Sequence, residues 1–379
     1  MPLVLSSEAQ MVRDTAMAFF PERSPITELR KLRDTNDPDG FSRSLWRMMA
    51  ELGWTGFLVS EDHGGTGFGV TGLAQVMEAA GRTLAATPLL STAVLAASLL
   101  DMAGSPAQKD EHLPPLVGGE RIFALALEET SRHAPTAIGT TATRAGGGYT
   151  LNGAKTFVLD GHVADTLIVV ARTSGGRDHR DGITLFLVPA DAAGVTRTRT
   201  IMLDSRNAAK IRFDNVQVGA DAVLGPVDRG SDILEPVLDR ARAALSAEML
   251  GAASEAFERT VQYLKDRRQF GVVIGSFQAL KHRAAQMFCE VEITRSAVLA
   301  ACSAIDERAN DAPALCSLAK AKASDTLYLC GNEGVQMHGG IGMTDEHEIG
   351  FFMKRARVAQ ATLGDAPFHR DRYAALMGY

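Results

Sequence analysis

Tyr263-Leu-Lys-Asp-Arg-Arg-Gln-Phe-Gly271 decides how the second half of this 379-residue chain is read. Before it runs Ile233–Lys265, with alanines and leucines every three or four positions, as an α-helix with a buried stripe requires. Two arginines, an amide, an aromatic ring and a glycine then arrive in succession at the helix end. Ile274-Gly-Ser-Phe-Gln278 follows, and Gln336-Met-His-Gly-Gly-Ile-Gly342 closes a later helical run. Taken singly, Arg267, Gln269, Phe270, Gln278, Gln336 and Gly340 read as an ordinary surface corner. As an ordered set they offer more. A guanidinium can clamp a pyrophosphate, a ring can cover a flat heterocycle, amides can pair with its edges, and glycines admit close backbone approach.

Working outward, the chain changes character twice. Residues 1–122 read as helices: Ser6 or Ser7 caps a segment through Phe20, and Phe41–Leu52 and Gly72–Leu84 carry helical apolar spacing. The glycine-rich Ser60-Glu-Asp-His-Gly-Gly-Thr-Gly-Phe-Gly69 lacks the Lys-Ser/Thr and the strand–loop–helix frame of a phosphate loop. Pro106, Pro114, Pro115 and Gly118-Gly119 mark a boundary. Residues 123–228 switch to β-rich runs, Thr166–Arg172, Ile183–Val188 and the alternating Lys210–Val218, with Ser174–Gly182 as a hairpin loop. No long helix interrupts them, so an antiparallel sheet or small barrel is expected. Residues 229–379 return to helices. Ser276 is a natural cap for Phe277–Ile305, Asp311 and Pro313 open Ala314–Met337, and Glu346–Thr362 and Ala366–Met377 complete an antiparallel bundle. The chain is thus mainly α with a central β-domain.

Composition narrows the function. A formal charge of −6 lacks the basic density of a nucleic-acid surface. No apolar run reaches the roughly 18 residues of a membrane span, and the N-terminus shows no secretory pattern. Cys289, Cys302, Cys316 and Cys330 fit no metal or disulfide spacing and read as buried reduced thiols, so a cytoplasmic protein without a metal site is expected.

The two segments around Phe270 and Gly340 resemble the C-terminal flavin-binding signature of the acyl-CoA dehydrogenase family, and the helical–β–helical order extends the resemblance along essentially the whole chain. The resemblance implies FAD as cofactor and an acyl-CoA thioester as substrate. It also implies an electron-transfer flavoprotein as electron acceptor and a dimer of dimers, either a homotetramer or a heterotetramer with a sister subunit. In the family, residues matching Arg267, Gln269, Phe270 and Gln278 reach the FAD of the neighbouring subunit, and those matching Gln336 and Gly340 meet its adenosine end. Residues matching Asp239 and Arg242, three apart on one helix face, contact CoA; the plainer reading of that pair is a surface ion pair.

Departures are as informative. The family's E-P-G-A/S-G-S-D loop is here Leu127-Glu-Glu-Thr-Ser-Arg-His-Ala-Pro135, without the glycines, and a hydroxyl is missing at Leu127. Leu151–Leu159 resembles N-G-x-K-x-W-I-T, with Phe157 and Leu159 in place of the tryptophan and threonine that meet the flavin. The α-proton of the thioester needs a carboxylate base in a dry pocket. The usual glutamate lies seven residues before an arginine of the last helix, which from Arg370 lands on Leu363; a minority position falls on Ala241.

What remains is the Leu363 backbone N–H, able to polarise the carbonyl, and two replacement carboxylates. Asp365 is two residues from Leu363. Glu248 lies seven beyond Ala241, about 10 Å along the axis. The third alternative is that the base is not in this chain. His338 and His347 read as helix-end or surface groups. The Leu-Gly-Asp-Ala ending and the altered loop look most like small subunits of two-component bacterial acyl-CoA dehydrogenases of the pimeloyl-CoA type. Three readings stand: a dehydrogenase using Asp365 or Glu248, a half-site partner subunit, and an oxidase-like relative.

Overall fold

The computed structural model describes residues 4–379. Contacts divide the chain into two compact units that do not follow sequence order. One holds the chain up to Asp34, Val70–Ala85 and Arg242–Tyr379; the other holds Thr35–Gly69 and Ala86–Ala241.

The first unit is helical. It contains α1 (Ser7–Arg23), α2 (Ile26–Asp34), α4 (Gly69–Arg82), α8 (Gln278–Asp306), α9 (Ala312–His338), α10 (Ile349–Ala361), α11 (Ala366–Met377) and all but the start of α7 (Gly230–Asp266). Ser6 caps α1, its hydroxyl accepting from Ala9 N at 3.1 Å. Ser276 does not cap α8. Its hydroxyl donates to the Val273 carbonyl instead, and Phe277 stands at the cap position without a side-chain bond. Two glycines let α4 and α7 touch backbone to backbone: a Cβ on Gly81 would stand 2.0 Å from the Glu248 carbonyl oxygen, and one on Gly251 1.8 Å from that of Glu78. Across the bundle, α8 meets α9 through a Thr294–Thr326 hydroxyl pair at 2.7 Å.

The second unit carries α3 (Arg43–Glu51), a π-helical run Leu89–Ala96 leading into α5 (Ala97–Ala103), α6 (Pro106–Val117) and the main sheet. Pro106 begins α6 rather than ending a domain, because proline lacks the N–H that the first helical turn leaves unbonded. A reciprocal Ser105–Gln108 cap fixes that start.

The sheet holds β1 (Phe123–Ala126), β2 (Thr141–Ala145), β3 (Gly148–Leu159), β4 (Thr166–Arg172), β5 (Ile183–Pro189), β6 (Val195–Ile201), β7 (Asn207–Gly219) and β8 (Val223–Leu224). Its order is β6-β7-β3-β2-β4-β5-β8, with β1 parallel to β4 and the long ladders antiparallel. The expected antiparallel sheet is therefore present, with β1 and a single β2–β4 pair as its parallel exceptions. β4 is apolar up to Arg172 and buried along its whole length, whereas β7 alternates. Tyr149, Leu151, Val169, Phe186 and Phe213 fill the core. No helix among the described residues is long and apolar enough to cross a membrane.

Candidate functional site

The expected cofactor residues of the first unit lie on a protruding turn. After α7, Arg268–Gln269 (β9) pairs antiparallel with Val272–Val273 (β10), and Phe270 and Gly271 form the tip in left-handed backbone, φ 54° and 80°. Phe270 is 89% exposed, its ring meeting Phe277 edge-on at 6.1 Å. Arg267, Gln269 and Gln278 are exposed as well. An exposed aromatic on a strained tip is costly unless something covers it. Gln336 faces solvent on the last turn of α9, and open space surrounds the Cβ position of Gly340.

In the second unit, β3 and β7 slip register between Lys155 and Val158. The bulge turns Phe157 outward at φ 51°, half exposed, with Leu159 half-buried two residues on. Beneath it Lys155 is fully buried. Its ammonium donates to the Leu127 carbonyl at 3.1 Å and to Glu129 at 2.8 Å, and burial pulls it down to about 8 against the opposing pull of Glu129. Glu129 also accepts the Gly139 and Thr140 N–H groups at 2.7 and 2.8 Å. Glu128 engages His133. Both carboxylates of the altered loop are thus occupied with their own surroundings. Phe157 thus presents an aromatic surface, while Leu127, which has no hydroxyl, is buried.

Neither candidate carboxylate meets the needs of a general base. Asp365 is exposed and caps α11, its Oδ1 accepting the Phe368 N–H at 2.9 Å, so it stands in water rather than in the dry pocket that this base needs. Glu248 is buried in a two-point pair with Arg355, Oε1 and Oε2 accepting at 2.9 and 3.0 Å. The two-point pair commits both carboxylate oxygens to that guanidinium and fixes their position.

Leu363 sits on the corner between α10 and α11 at φ 59° and is 8% exposed. Arg242 is fully buried with its guanidinium 5.9 Å from the Phe368 ring, and Asp239, which falls in the second unit, is 5% exposed. The surface ion-pair reading of these two is therefore wrong, since both are buried. His338 is the helix-end group expected, closing α9, but it is buried rather than at the surface, stacked on Tyr263 at 4.3 Å and bonded through Nδ1 to the Gly334 carbonyl. Cys302, Cys316 and Cys330 are buried free thiols, but Cys289 is exposed.

Acyl-CoA dehydrogenase domain patterns match throughout: the N-terminal domain over residues 6–120, the middle domain over 124–216 and the C-terminal domain over 228–377. The probable acyl-CoA dehydrogenase YngJ of Bacillus subtilis is 30% identical over 377 residues, 97% of each chain. This chain belongs to the acyl-CoA dehydrogenase family. FAD is the cofactor of that family. The subunit CarC of the caffeyl-CoA reductase–Etf complex of Acetobacterium woodii is 28% identical over 362 residues, 94% of each chain. A chain of the ChsE4–ChsE5 complex of Mycobacterium tuberculosis superposes with a TM-score of 0.90 at 27% identity, covering 100% of this acyl-CoA dehydrogenase chain and 99% of that one.

Sequence reasoning missed Lys320, Arg355 and His369, all buried. Lys320 shares the helical phase of Cys316, Ala323 and Leu327, each of them buried, which was the available signal.

Proposed function

We propose that this chain is the base-lacking subunit of a heteromeric acyl-CoA dehydrogenase that introduces an α,β-double bond into an acyl-CoA thioester. The observation that carries this reading is the commitment of both candidate carboxylates beside a leucine at the base position: Asp365 caps a helix in water and Glu248 is locked to Arg355. The sister subunit supplies the carboxylate that takes the α-proton. FAD, when bound, accepts the β-hydride and passes the electrons to an electron-transfer flavoprotein. This chain contributes Arg267, Gln269, Phe270, Gln278, Gln336 and Gly340 to the far end of that cofactor, and Phe157 and Leu159 as a surface for its ring. It also contributes the Leu363 N–H to the thioester carbonyl. The association of one structural relative as a ChsE4–ChsE5 complex, and of another relative with Etf, supports the two partners.

The test is purification of the chain alone and together with the product of a neighbouring sister gene, followed by anaerobic addition of a panel of acyl-CoAs. Flavin bleaching is expected only in the joint preparation. Bleaching by the lone chain would replace this reading with an active homotetramer, and turnover coupled to oxygen without a flavoprotein acceptor would replace it with an oxidase.

A further inference from the structure

Two buried side chains bind the carbonyls of the corner Thr362–Asp365. The Leu363 carbonyl accepts from His369 Nε2 at 2.9 Å. Because a carbonyl only accepts, Nε2 carries the proton and Nδ1 is the acceptor for Ser317 Oγ, at 3.4 Å. Arg372 in turn donates to Ser317 Oγ at 2.8 Å, which completes an ordered line from Arg372 through Ser317 and His369 to Leu363. The Gly364 carbonyl accepts from Lys320 Nζ at 2.9 Å. The same ammonium donates to the Gln360 carbonyl at 3.2 Å and to Ser324 Oγ at 3.4 Å, so its three N–H bonds are all used and none is left for a substrate. Lys320 and His369 are both fully buried.

The N–H groups of Leu363 and Gly364 have no acceptor among the described residues, which is uncommon for buried backbone. Leu363 sits at φ 59°, a region a leucine avoids unless the surroundings impose it, and Gly364 follows at φ 100°. A Cβ on Gly364 would stand 2.4 Å from the Phe368 ring and 2.9 Å from His369 Nε2. Two successive peptide planes, Leu363–Gly364 and Gly364–Asp365, are therefore fixed through their carbonyls; in a trans peptide the amide hydrogen points away from the carbonyl oxygen of its own plane, so the grip on the Leu363 carbonyl directs the Gly364 N–H, and the Leu363 N–H is steadied only through the adjoining Leu363 Cα.

We infer that Lys320 and His369 are positioning residues of the dehydrogenation site, gripping the carbonyl side of the 362–365 corner so that its amide N–H groups stay aimed at the thioester oxygen. A preorganised donor is worth far more than one that must reorient. Neither side chain needs a base at position 363, which accounts for a strained corner that persists although its side chain is leucine. This role rests on the proposed binding of acyl-CoA at this subunit.

The test uses the complex of this chain with its sister and an acyl-CoA carrying ¹³C at the thioester carbonyl, read by NMR. The bound carbonyl resonance is expected to move downfield in the wild type, return toward the free position in Lys320→Met and His369→Gln, and recover in Lys320→Arg. Turnover in Lys320→Met should fall about a hundredfold with KM nearly unchanged. Ser317→Ala, which only loosens the imidazole, gives a smaller shift in a chain that keeps its thermal melt. An unaltered carbonyl resonance in folded Lys320→Met and His369→Gln would overturn the positioning role. Failure of the wild-type complex to bind the labelled thioester would instead sink the functional reading on which it rests, and this inference with it.

Discussion

The turn at Arg267–Gln278 and the corner at Thr362–Asp365 have diverged in opposite ways. The turn keeps its side chains: arginine, amides and an aromatic stand on an exposed tip with little beneath them. The corner has a leucine, Leu363, with no acid–base chemistry of its own, yet its backbone is strained and two buried side chains bind its carbonyls. A group that reaches another molecule must be exposed and chemically specific, so its retention is visible as residue identity. A group that acts through a backbone amide needs only its frame, and the frame is built by residues distant in sequence. On the proposed reading, one region serves what the chain holds jointly with a neighbour and the other what it does to a carbonyl.

The sharpest way to break this contrast is at Glu248 and Arg355. If that pair is structural, Arg355→Met leaves a buried carboxylate uncompensated and should lower unfolding free energy by about 3–5 kcal/mol in urea. A loss well below 1 kcal/mol, accompanied by new α-proton exchange, would return Glu248 to the list of bases. At the turn, Arg267→Ala should leave the melt of this chain unchanged because the residue is exposed. It should weaken FAD retention by the assembled complex about tenfold to a hundredfold, the worth of one charge-assisted contact of about 1.5–3 kcal/mol. Equal retention on dialysis would remove the turn from the cofactor.

How much of this was legible in sequence follows from the same contrast. The alternation of Lys210–Val218 and the apolar Thr166–Val170 gave their strands directly, and α11 opens at Ala366 where proline sits within the first turn. The cap of α8 was misplaced because a hydroxyl can be diverted to a nearby carbonyl, as Ser276 is to Val273. Pro114 and Pro115 sit in the last turn of α6 rather than after it. At the site, the exposed turn was readable from residue types alone. Lys320 was not, because a lysine within an alanine-rich helix reads as a solvated face until the helical phase is fixed by its neighbours.

Lys320 also gives the corner a pH signature. Burial, with Arg242 and then Arg355 adding repulsion against the opposing pull of Asp365, pushes its ammonium down to about 7 from the usual lysine range. Between that value and the ordinary one the unfolded chain binds the extra proton, so stability must rise with pH across this interval. Urea unfolding at about pH 6 and about pH 9 should show wild type gaining on Lys320→Met, whose difference curve carries this one titration. A parallel pair of curves would mean that the ammonium is not held at a lowered value.

The smallest effect concerns Asp365, and it separates cap from catalyst. Removing an N-cap carboxylate costs about 1 kcal/mol, because the amide of Phe368 loses the Asp365 acceptor while water replaces part of the bond. Asp365→Asn keeps an oxygen at the same place and should recover most of that loss. A general base cannot be spared in this way: an amide does not accept the α-proton, so asparagine would abolish turnover as fully as alanine. Measured on the complex with its sister, Asp365→Ala is expected to lower the melt slightly and leave kcat within about twofold. Asp365→Asn should restore the melt with kcat still unchanged. Loss of kcat in both variants with normal melts would place the proton on Asp365 after all, and would give the corner the chemistry that a leucine cannot supply.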